Sequence, residues 1–386
     1  MENSTPEATP DATRDPWLLT PGPLTTAPEV KGAMMRDLGS RDDAFVALSE
    51  RVRERLVGIV GGGHSHVCVP LQGSGTFVVE AMLGTFVPAD GEVLILVNGA
   101  YGRRMADICE RMGRPWRVLE TAEDAPIDVV ALDEILTVAP SITHVAVVHC
   151  ETTTGMRNPL EAVADVVASH CRGLLVDAMS AFGALPVDAR KVPFDALVAS
   201  SNKCLEGVPG VGFCLARRQA LEATAGNSPS VCLDLFDQWR GFERNGQWRF
   251  TPPTHCLLAF DKALDEFLAE GGVAGRGARY RDNCRLLVEG MRALGFEPLL
   301  PEDLQAPIIV TFHTPADPRF DFETFYSQLK ARGFVIYPGK LTGADTFRVG
   351  CIGHLGSAEM HGALAAIRGV LSELGVASGA PERSAA

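Results

Sequence analysis

The sequence lacks several features that mark other classes of protein. No apolar run is long enough to span a membrane, so no membrane partner is expected. Basic residues are outnumbered, with 35 Lys and Arg against 48 Asp and Glu and a net charge of −13. This balance disfavours nucleic acid as a partner, because phosphate contacts need clustered cations. Residues 1–16 lack the basic flank and apolar core of a secretory signal, so they and residues 376–386 are predicted to be disordered tails.

Close cysteine pairs are also missing. The ten cysteines include no pair with the CxxC spacing of zinc sites and redox motifs, so free thiols in a reducing cytoplasm are expected. The one pattern with metal-binding residue types is His64, His66 and Cys68, which would share one face of a strand. Three ligands on one strand converge poorly on a single ion, so no metal site is predicted here.

Apolar strands alternate with helical segments through the first two thirds of the chain. The clearest of these runs lie at residues 92–97, 144–149, 173–176 and 194–199. Nearly continuous apolar strands indicate a mostly parallel sheet covered by helices on both faces. From about residue 257 the pattern changes to longer helices and scattered strands. We therefore predict a large domain at 17–265 and a small C-terminal α+β domain at 266–375.

Polar residues collect where the strands of the large domain end. In parallel sheets, ligands bind beyond the carboxyl ends of the strands. Residues 73–76, Gly-Ser-Gly-Thr, lead from a short strand into an apolar helix. Glycines let the backbone approach a ligand, and a helix N-terminus supplies free N–H groups, so this stretch suits a phosphate. It lacks the third glycine of a dinucleotide fingerprint, and a tight turn with a helix cap is the alternative.

Three further residues complete the requirements of one cofactor. Lys203 stands between two apolar strands, where an amine is either a solvated charge or a nucleophile for an aldehyde. Asp177 ends an apolar strand, where a carboxylate either caps a turn or binds a pyridine nitrogen. Tyr101 offers an aromatic ring for stacking. Together with residues 73–76, they match the aldehyde, ring nitrogen, phosphate and ring of pyridoxal 5′-phosphate (PLP).

The order of these motifs resembles the class V aminotransferases, which are fold type I PLP enzymes. The motifs that carry the resemblance lie at residues 18–26, 71–76, 149–156, 201–204, 207–210, 247–251, 333–340 and 347–350. The resemblance extends from about residue 17 to residue 374. It implies an α/β fold in which a large domain, with a mostly parallel seven-stranded sheet between helices, is joined to a smaller α+β domain. It also implies that the extended segment 17–26 lies near the active site.

The resemblance assigns roles to individual residues. Lys203 would be the catalytic lysine that forms a Schiff base with PLP, and Asp177 would pair with the ring nitrogen. Other cofactor-binding residues would be Ser74, Gly75, Thr76 and Ser201 at the phosphate, Tyr101 on the ring, and Thr152 or Thr153 at the 3′-oxygen. In a homodimer with a shared active site, Thr251 would reach the phosphate from the neighbouring subunit. Arg348 would bind the acidic group of the substrate.

More specifically, the motifs resemble members of the family that act in phosphonate catabolism. These transfer the amino group of 2-aminoethylphosphonate to pyruvate by a ping-pong mechanism, which yields phosphonoacetaldehyde and L-alanine. Both substrates are anions, so one bidentate arginine, Arg348, can serve each half-reaction. Arg41 departs from the pattern, because a bulky aromatic residue is expected before Asp42 and Asp43.

Three alternatives remain open from the sequence. An alanine– or serine–glyoxylate aminotransferase would share every cofactor residue and differ in its substrate pocket. A PLP-dependent lyase such as a cysteine desulfurase would need a cysteine on a mobile loop, whereas Cys351 directly follows the strand that carries Arg348. A non-catalytic binding or scaffold protein would have no need of the intact pair Lys203 and Asp177.

Overall fold

The computed structural model describes residues 15–341 and 343–382. The strands are β1 (Trp17–Leu18), β2 (His66–Gly73), β3 (Glu92–Val97), β4 (Trp116–Glu120), β5 (Ile142–Val148), β6 (Cys150–Glu151), β7 (Met156–Arg157), β8 (Gly173–Asp177), β9 (Ala196–Ser200), β10 (Gly210–Arg217), β11 (Ile309–His313), β12 (Phe334–Val335), β13 (Tyr337–Pro338) and β14 (Thr346–Gly350). The helices are α1 (Pro28–Gly32), α2 (Asp43–Ile59), α3 (Gly75–Phe86), α4 (Ala100–Met112), α5 (Val129–Val138), α6 (Leu160–Ser169), α7 (Arg218–Glu222), α8 (Leu235–Asn245), α9 (Thr254–Ala269), α10 (Gly272–Ala293), α11 (Phe322–Ala331) and α12 (Ser357–Leu374).

A seven-stranded sheet forms the centre of the larger unit. Its strand order is β2-β10-β9-β8-β5-β3-β4, and β10 alone runs antiparallel to its neighbours. The inner strands are buried along nearly their whole length, as their continuous apolar sequences require. The predicted α/β fold with a mostly parallel seven-stranded sheet is therefore confirmed.

Helices cover both faces of this sheet. On one face, α3 and α4 pack their apolar residues, including Met82 and Met105, against alternate side chains of the strands. On the other face lie α2, α6 and α9, with Phe45, Val163 and Leu264 fully buried. Because β3, β4, β5, β8 and β9 run parallel, their carboxyl ends meet at one edge of the sheet, between these two helical layers.

The smaller unit is built on a three-stranded antiparallel sheet in the order β11-β14-β13. Its core includes Phe312, Phe347 and Ile367 and lies against α10, α11 and α12. Helix α10 contributes Tyr280 to the core of the larger unit and Leu287 to that of the smaller one, so it connects the two. The division at residues 265 and 266 stays a prediction.

The N-terminal segment belongs to both units. β1 pairs in parallel with β12, and Leu19 is buried in the core of the smaller unit. The chain then passes the end of β9 at Pro21 and Gly22, where both carbonyl groups accept hydrogen bonds from Lys203. Segment 17–26 is thus held between the two units, next to the predicted catalytic lysine.

The two predicted tails differ in how much of each is described. Residues 1–14 and 383–386 lie outside the described residues. In the segment 376–382, the N–H of Gly379 donates to Leu294, and the carbonyl of Ala380 accepts from Ala316. These backbone bonds attach the segment to the smaller unit, and the disordered tail at 376–386 stays a prediction. Within the described ranges, no helix combines the length and apolar character needed to cross a bilayer.

Candidate active site

Lys203 lies on a short loop between β9 and β10. Hydrogen bonds within the loop hold its two ends together. The Ser201 hydroxyl donates to the carbonyl of Val208 at 2.6 Å, and the N–H of Gly207 donates to the carbonyl of Ser201 at 2.8 Å. Both β9 and β10 belong to the central sheet, so the loop stands on a rigid support. The strand-loop-strand arrangement predicted for Lys203 is confirmed.

The amine of Lys203 is held by backbone carbonyls. Nζ donates to the carbonyl of Pro21 at 2.9 Å and to that of Gly22 at 3.4 Å. Burial lowers its pKa, although Tyr101 and Asp177 oppose this effect. Gly22 has a φ of +118°, and a Cβ there would lie 2.7 Å from Cδ of Lys203, so glycine is needed for this approach. A lysine with a lowered pKa is more often the neutral amine that attacks an aldehyde.

Asp177 is a buried carboxylate at the end of β8. Its Oδ1 accepts a hydrogen bond from the N–H of Met179 at 2.9 Å. Burial, with a smaller contribution from the nearby Glu151, raises its pKa to about 6, while the hydrogen bond from Met179 and the charge of Lys203 oppose the shift. No ion pair of Asp177 occurs among residues 15–341 and 343–382. A protonated ring nitrogen would supply the positive charge that this carboxylate lacks.

The residues predicted to form a phosphate cradle lie at the N-terminus of α3. Ser74 is the N-cap of this helix, and its side chain makes no capping hydrogen bond. The first N–H groups of a helix, here those of Gly75 and Thr76, have no partner within the helix itself. A Cβ on Gly75 would lie 2.6 Å from Sδ of Met179, so a larger residue would fill the cradle. The Thr76 hydroxyl accepts from Nη1 of Arg104 at 3.3 Å, which brings a cation to this place.

The structure places Ser200, rather than Ser201, toward this cradle. Ser200 pairs with Gly212, where a Cβ would lie 3.3 Å from the carbonyl oxygen of Ser74. Since paired residues project to the same side of a sheet, the Ser200 side chain faces the start of α3. Its Oγ is buried and has no partner in the described part of the chain. The Ser201 hydroxyl instead uses its proton on Val208, so the structure does not bring it to the cradle.

Tyr101 lies in the first turn of α4, with charged groups over its ring. The guanidinium carbon of Arg104 lies 4.8 Å from the ring centroid, and Nζ of Lys340 lies 5.3 Å from it. Tyr101 also raises the pKa of Lys203 through its charge. The ring therefore stands between the phosphate cradle and the smaller unit, where a flat cofactor could stack on it.

Glu151 is a functional residue that the sequence analysis missed. Its buried carboxylate accepts from the N–H and hydroxyl of Thr153 at 2.9 and 2.6 Å and from the N–H of Tyr101 at 3.3 Å. Burial raises its pKa, and these hydrogen bonds oppose the shift. The carboxylate thus joins the N-terminus of α4 to the turn after β6. The signal in the sequence was an acidic residue close to the end of an apolar strand, within the motif at residues 149–156.

Thr152 and Thr153 differ in what their hydroxyls already contact. The Thr153 hydroxyl donates to Glu151 and accepts from the N–H of Ala100 at 3.1 Å. The Thr152 hydroxyl accepts only a long hydrogen bond from Ser180, at 3.4 Å. Of the two candidates for the 3′-oxygen of a cofactor, Thr152 is the one whose hydroxyl proton is not directed to Glu151.

Arg348 brings a buried cation from the smaller unit. Nε donates to the carbonyl of Pro338 and Nη1 to the carbonyl of Thr152, each at 3.0 Å. Both partners are neutral, and burial lowers the pKa of this arginine. Within the described ranges no carboxylate forms an ion pair with it. An arginine that is buried without a counter-ion is suited to bind an anionic ligand through its remaining N–H groups.

The remaining candidates lie away from this centre in the single chain. Thr251 and Arg41 are exposed, and neither contacts Lys203 or Asp177. Cys351 is fully buried, and its pKa is raised well above the ordinary value by a hydrogen bond that its thiol donates to Cys284 and by burial. A thiol in that state is a poor nucleophile, which argues against the lyase alternative. No group of His, Cys, Asp or Glu within the described ranges is arranged to hold a metal.

Comparison with known proteins agrees with this geometry. A sequence model of the family described as aminotransferase class-V matches residues 27–339. The chain is 57% identical to a 2-aminoethylphosphonate–pyruvate transaminase of Pseudomonas aeruginosa strain PAO1, over 95% of this chain and 98% of that protein. It is 56% identical to the protein of the same name from Pseudomonas fluorescens strain Pf0-1, over 95% and 99% of the two chains.

A solved structure extends the comparison to the fold. Pyridoxamine–pyruvate aminotransferase from Mesorhizobium loti superposes with a TM-score of 0.87 at 27% identity, and the match covers 95% of each chain. The match spans both units, including the smaller one that carries Arg348. From the family model and the long, highly identical relatives together, the chain belongs to the class V aminotransferase family.

Proposed function

We propose that this protein is a PLP-dependent aminotransferase that moves the amino group of 2-aminoethylphosphonate to pyruvate. The products would be phosphonoacetaldehyde and L-alanine. The observation that carries the proposal is the identity of 56–57% to proteins named for this reaction, over nearly the full length of both chains. The site supports it independently, because each unpaired group in it corresponds to one part of the cofactor or substrate.

The residues present fit PLP. When bound, this cofactor supplies an aldehyde for the amino group and a protonated ring that draws electrons from the reacting carbon. Asp177 would hold the ring nitrogen, and the ring of Tyr101 would stack on the cofactor. Its phosphate would be held by the start of α3 with Ser74, Gly75 and Thr76, and by Ser200 with its unpartnered hydroxyl. Thr152 would donate to the 3′-oxygen.

Lys203 has two tasks in this proposal. Its amine would form the covalent link to the cofactor until a substrate amine replaces it. Once free, Nζ would take the proton from the substrate carbon that bears the nitrogen, since burial lowers its pKa toward that of a useful base. A positioned base of this kind contributes about 10²–10⁴-fold in rate. The carbonyls of Pro21 and Gly22 would hold the amine in place between these steps.

Arg348 would orient both substrates. Its guanidinium is fixed by two backbone carbonyls, so the remaining N–H groups present a rigid pair of donors to an anion. The phosphonate of one substrate and the carboxylate of the other would occupy the same place in successive half-reactions. This arrangement suits a ping-pong cycle in which one site serves both.

The assembly and compartment are further parts of the proposal. We infer a homodimer in which Thr251, exposed on one subunit, reaches the cofactor phosphate of the other. We also infer a cytoplasmic location, which is supported by the state of the ten cysteines, all of them free thiols.

An amino-donor panel tests the proposed function. The purified enzyme, with PLP and pyruvate, would be given 2-aminoethylphosphonate, serine, alanine or other amines, and product formation would be measured. The proposal expects 2-aminoethylphosphonate to have the highest kcat/KM, and Lys203→Ala to be inactive with every donor. A higher kcat/KM with serine, or with alanine and glyoxylate, would instead support an alanine– or serine–glyoxylate aminotransferase and refute the phosphonate substrate.

A further inference from the structure

A second cation stands beside the proposed anion site. Lys340 follows β13, and its Nζ lies 5.3 Å from the centroid of the Tyr101 ring. Its side chain is exposed, and no carboxylate pairs with it among residues 15–341 and 343–382. A lysine on a surface usually points to solvent, whereas this amine projects from the smaller unit over a residue of the larger one. The positive charge of Lys340 is therefore free to bind an anion beside Tyr101.

The segment that carries Lys340 is attached to Arg348. In the three-stranded sheet Tyr337 pairs with Arg348, and the carbonyl of Pro338 accepts the hydrogen bond from Nε of Arg348 at 3.0 Å. The guanidinium carbon of Arg348 also lies 6.0 Å from the centroid of the Tyr337 ring. Because these contacts fix two residues just before Lys340, its position depends on that of Arg348.

Electrostatic effects indicate that these cations converge on one space. Tyr101 raises the pKa of both Lys203 and Arg348, and Lys340 lowers the pKa of Lys203. These effects agree with the contact of Lys340 with the Tyr101 ring and with the hydrogen bond from Arg348 to the carbonyl of Thr152. Tyr101 is at the centre of this group.

The two proposed substrates differ in charge. The carboxylate of pyruvate carries one negative charge, whereas a phosphonate, like a phosphate monoester, can carry two near neutral pH. A single arginine fork neutralises one charge. A lysine ammonium is a compact point charge that suits an additional phosphonate oxygen.

We propose that Lys340 is a specificity-determining residue that binds the second charge of the phosphonate, while Arg348 alone serves the carboxylate of pyruvate. This inference rests on the proposed function and assigns the phosphonate selectivity of the site to one named residue. The competing explanation is that Lys340 only packs on Tyr101, in which case both half-reactions would depend on it equally.

The test compares the two half-reactions in the PLP-loaded enzyme. Single-turnover rates with 2-aminoethylphosphonate, and with pyruvate after conversion to the amino form, are followed by the change in cofactor absorbance. For Lys340→Met we expect kcat/KM with the phosphonate to fall about tenfold, near the lower end for charge-assisted hydrogen bonds, with little change for pyruvate. Lys340→Arg should restore most of the loss. Lys330→Met, which changes an exposed lysine on α11, should have no effect on either half-reaction.

A second measurement does not depend on which amine is the preferred donor. Ethylphosphonate and propionate are compared as competitive inhibitors. Lys340→Met should weaken inhibition by ethylphosphonate and leave inhibition by propionate unchanged. Equal losses in both half-reactions, or no loss in either, would overturn the role of Lys340. If the wild-type enzyme prefers another amino donor, the proposed function fails. The inhibitor comparison would then still show whether Lys340 distinguishes a phosphonate from a carboxylate.

Discussion

Two groups of charged residues lie around the loop that carries Lys203. Each group has two acidic and two basic side chains. The first, which we call the closed ion cluster, consists of Glu206, Glu270, Arg276 and Arg279. The second, which we call the open charge site, consists of Lys203, Asp177, Glu151 and Arg348. The formal charges cancel in both groups, yet the two are organised in opposite ways.

In the closed ion cluster every charge meets an opposite one. Arg279 contacts Glu206 and Glu270, each at 2.7 Å, and Arg276 forms ion pairs with the same two carboxylates. The remaining N–H groups are also used: Nη1 of Arg276 donates to the carbonyl of Cys204 at 2.7 Å. The cluster therefore attaches the loop after Lys203 to helix α10, and its role is to hold the site in place.

In the open charge site the charges bind neutral groups instead. Lys203 and Arg348 donate to backbone carbonyls, and Asp177 and Glu151 accept from backbone N–H groups. Within the described ranges none of the four forms an ion pair with another. Burying charge without compensation is costly, so such groups are typical of functional sites. The two groups have the same number of charges, so that number does not show which group is structural and which is functional. The difference is that the charges are paired in the closed ion cluster and unpaired in the open charge site.

The largest effect on stability is expected from breaking the closed ion cluster. Arg276→Met leaves a buried carboxylate partly unpaired, and removing one partner of a buried pair costs about 3–5 kcal/mol. Urea unfolding should show this loss. As a matched control on the same helix, Arg285→Met removes an exposed pair with Glu289, which is worth about 0.3–0.5 kcal/mol. Equal losses in the two variants would mean that the cluster is not structurally special.

The opposite result is expected for Asp177→Asn in the open charge site. Its folded-state pKa of about 6 lies above the ordinary 3.8, so the cofactor-free fold loses stability progressively as the pH rises from about 4 to about 6, and the full penalty is present above that. The shift corresponds to about 3 kcal/mol. The variant should be more stable by that order at pH 8, the difference should vanish near pH 4, and transamination should be lost. A destabilised variant at pH 8 would show that Asp177 is compensated after all.

A smaller effect is expected when the arginine fork becomes a point charge. Arg348→Lys should lower kcat/KM in both half-reactions by about tenfold to a hundredfold, because charge-assisted hydrogen bonds contribute about 1.5–3 kcal/mol. Stopped-flow measurement of each half-reaction provides the test. Unchanged kinetics with both substrates would move the anion site away from Arg348.

The smallest effect is expected at Glu151. Glu151→Gln keeps the shape of the side chain but loses an acceptor, and one lost buried hydrogen bond costs about 1 kcal/mol. Because Glu151 contacts Tyr101 and Thr153 and not the reacting atoms, weaker PLP affinity is expected with a smaller change in kcat. Titration of the cofactor-free protein with PLP measures this, and an unchanged affinity together with an unchanged Tm would exclude a positioning role.

Features of the fold and site that depend on neighbouring residues could be predicted from the sequence. Features that depend on contacts between residues far apart in the chain could not. The sheet, Lys203 and Asp177 were predicted because apolar strands and the polar residues at their ends are local patterns. Ser201 is predicted at the phosphate by the family resemblance, and only the pairing of β9 with β10 shows that the adjacent Ser200 faces α3. Glu151 was missed because its partner Tyr101 lies fifty residues earlier in the chain.

The same reason applies to the smaller unit and to the closed ion cluster. Lys340 lies within a quoted motif, but its approach to Tyr101 exists only once the two units have packed. The partners in the closed ion cluster come from the loop after Lys203, from the residue that follows α9 and from α10, and nothing in their separate sequences indicates that they meet. Likewise, the attachment of residues 376–382 follows from contacts with Leu294 and Ala316 rather than from composition.

The central claim is that the unpaired charges around Lys203 are the site that holds PLP. Borohydride reduction of the PLP-loaded enzyme, followed by peptide mass mapping, tests it most directly. The account predicts a pyridoxyl group on the peptide that contains Lys203 and on no other lysine, and no label in Lys203→Ala. A label on any other lysine, or bound PLP that leaves Lys203 unlabelled, would contradict it.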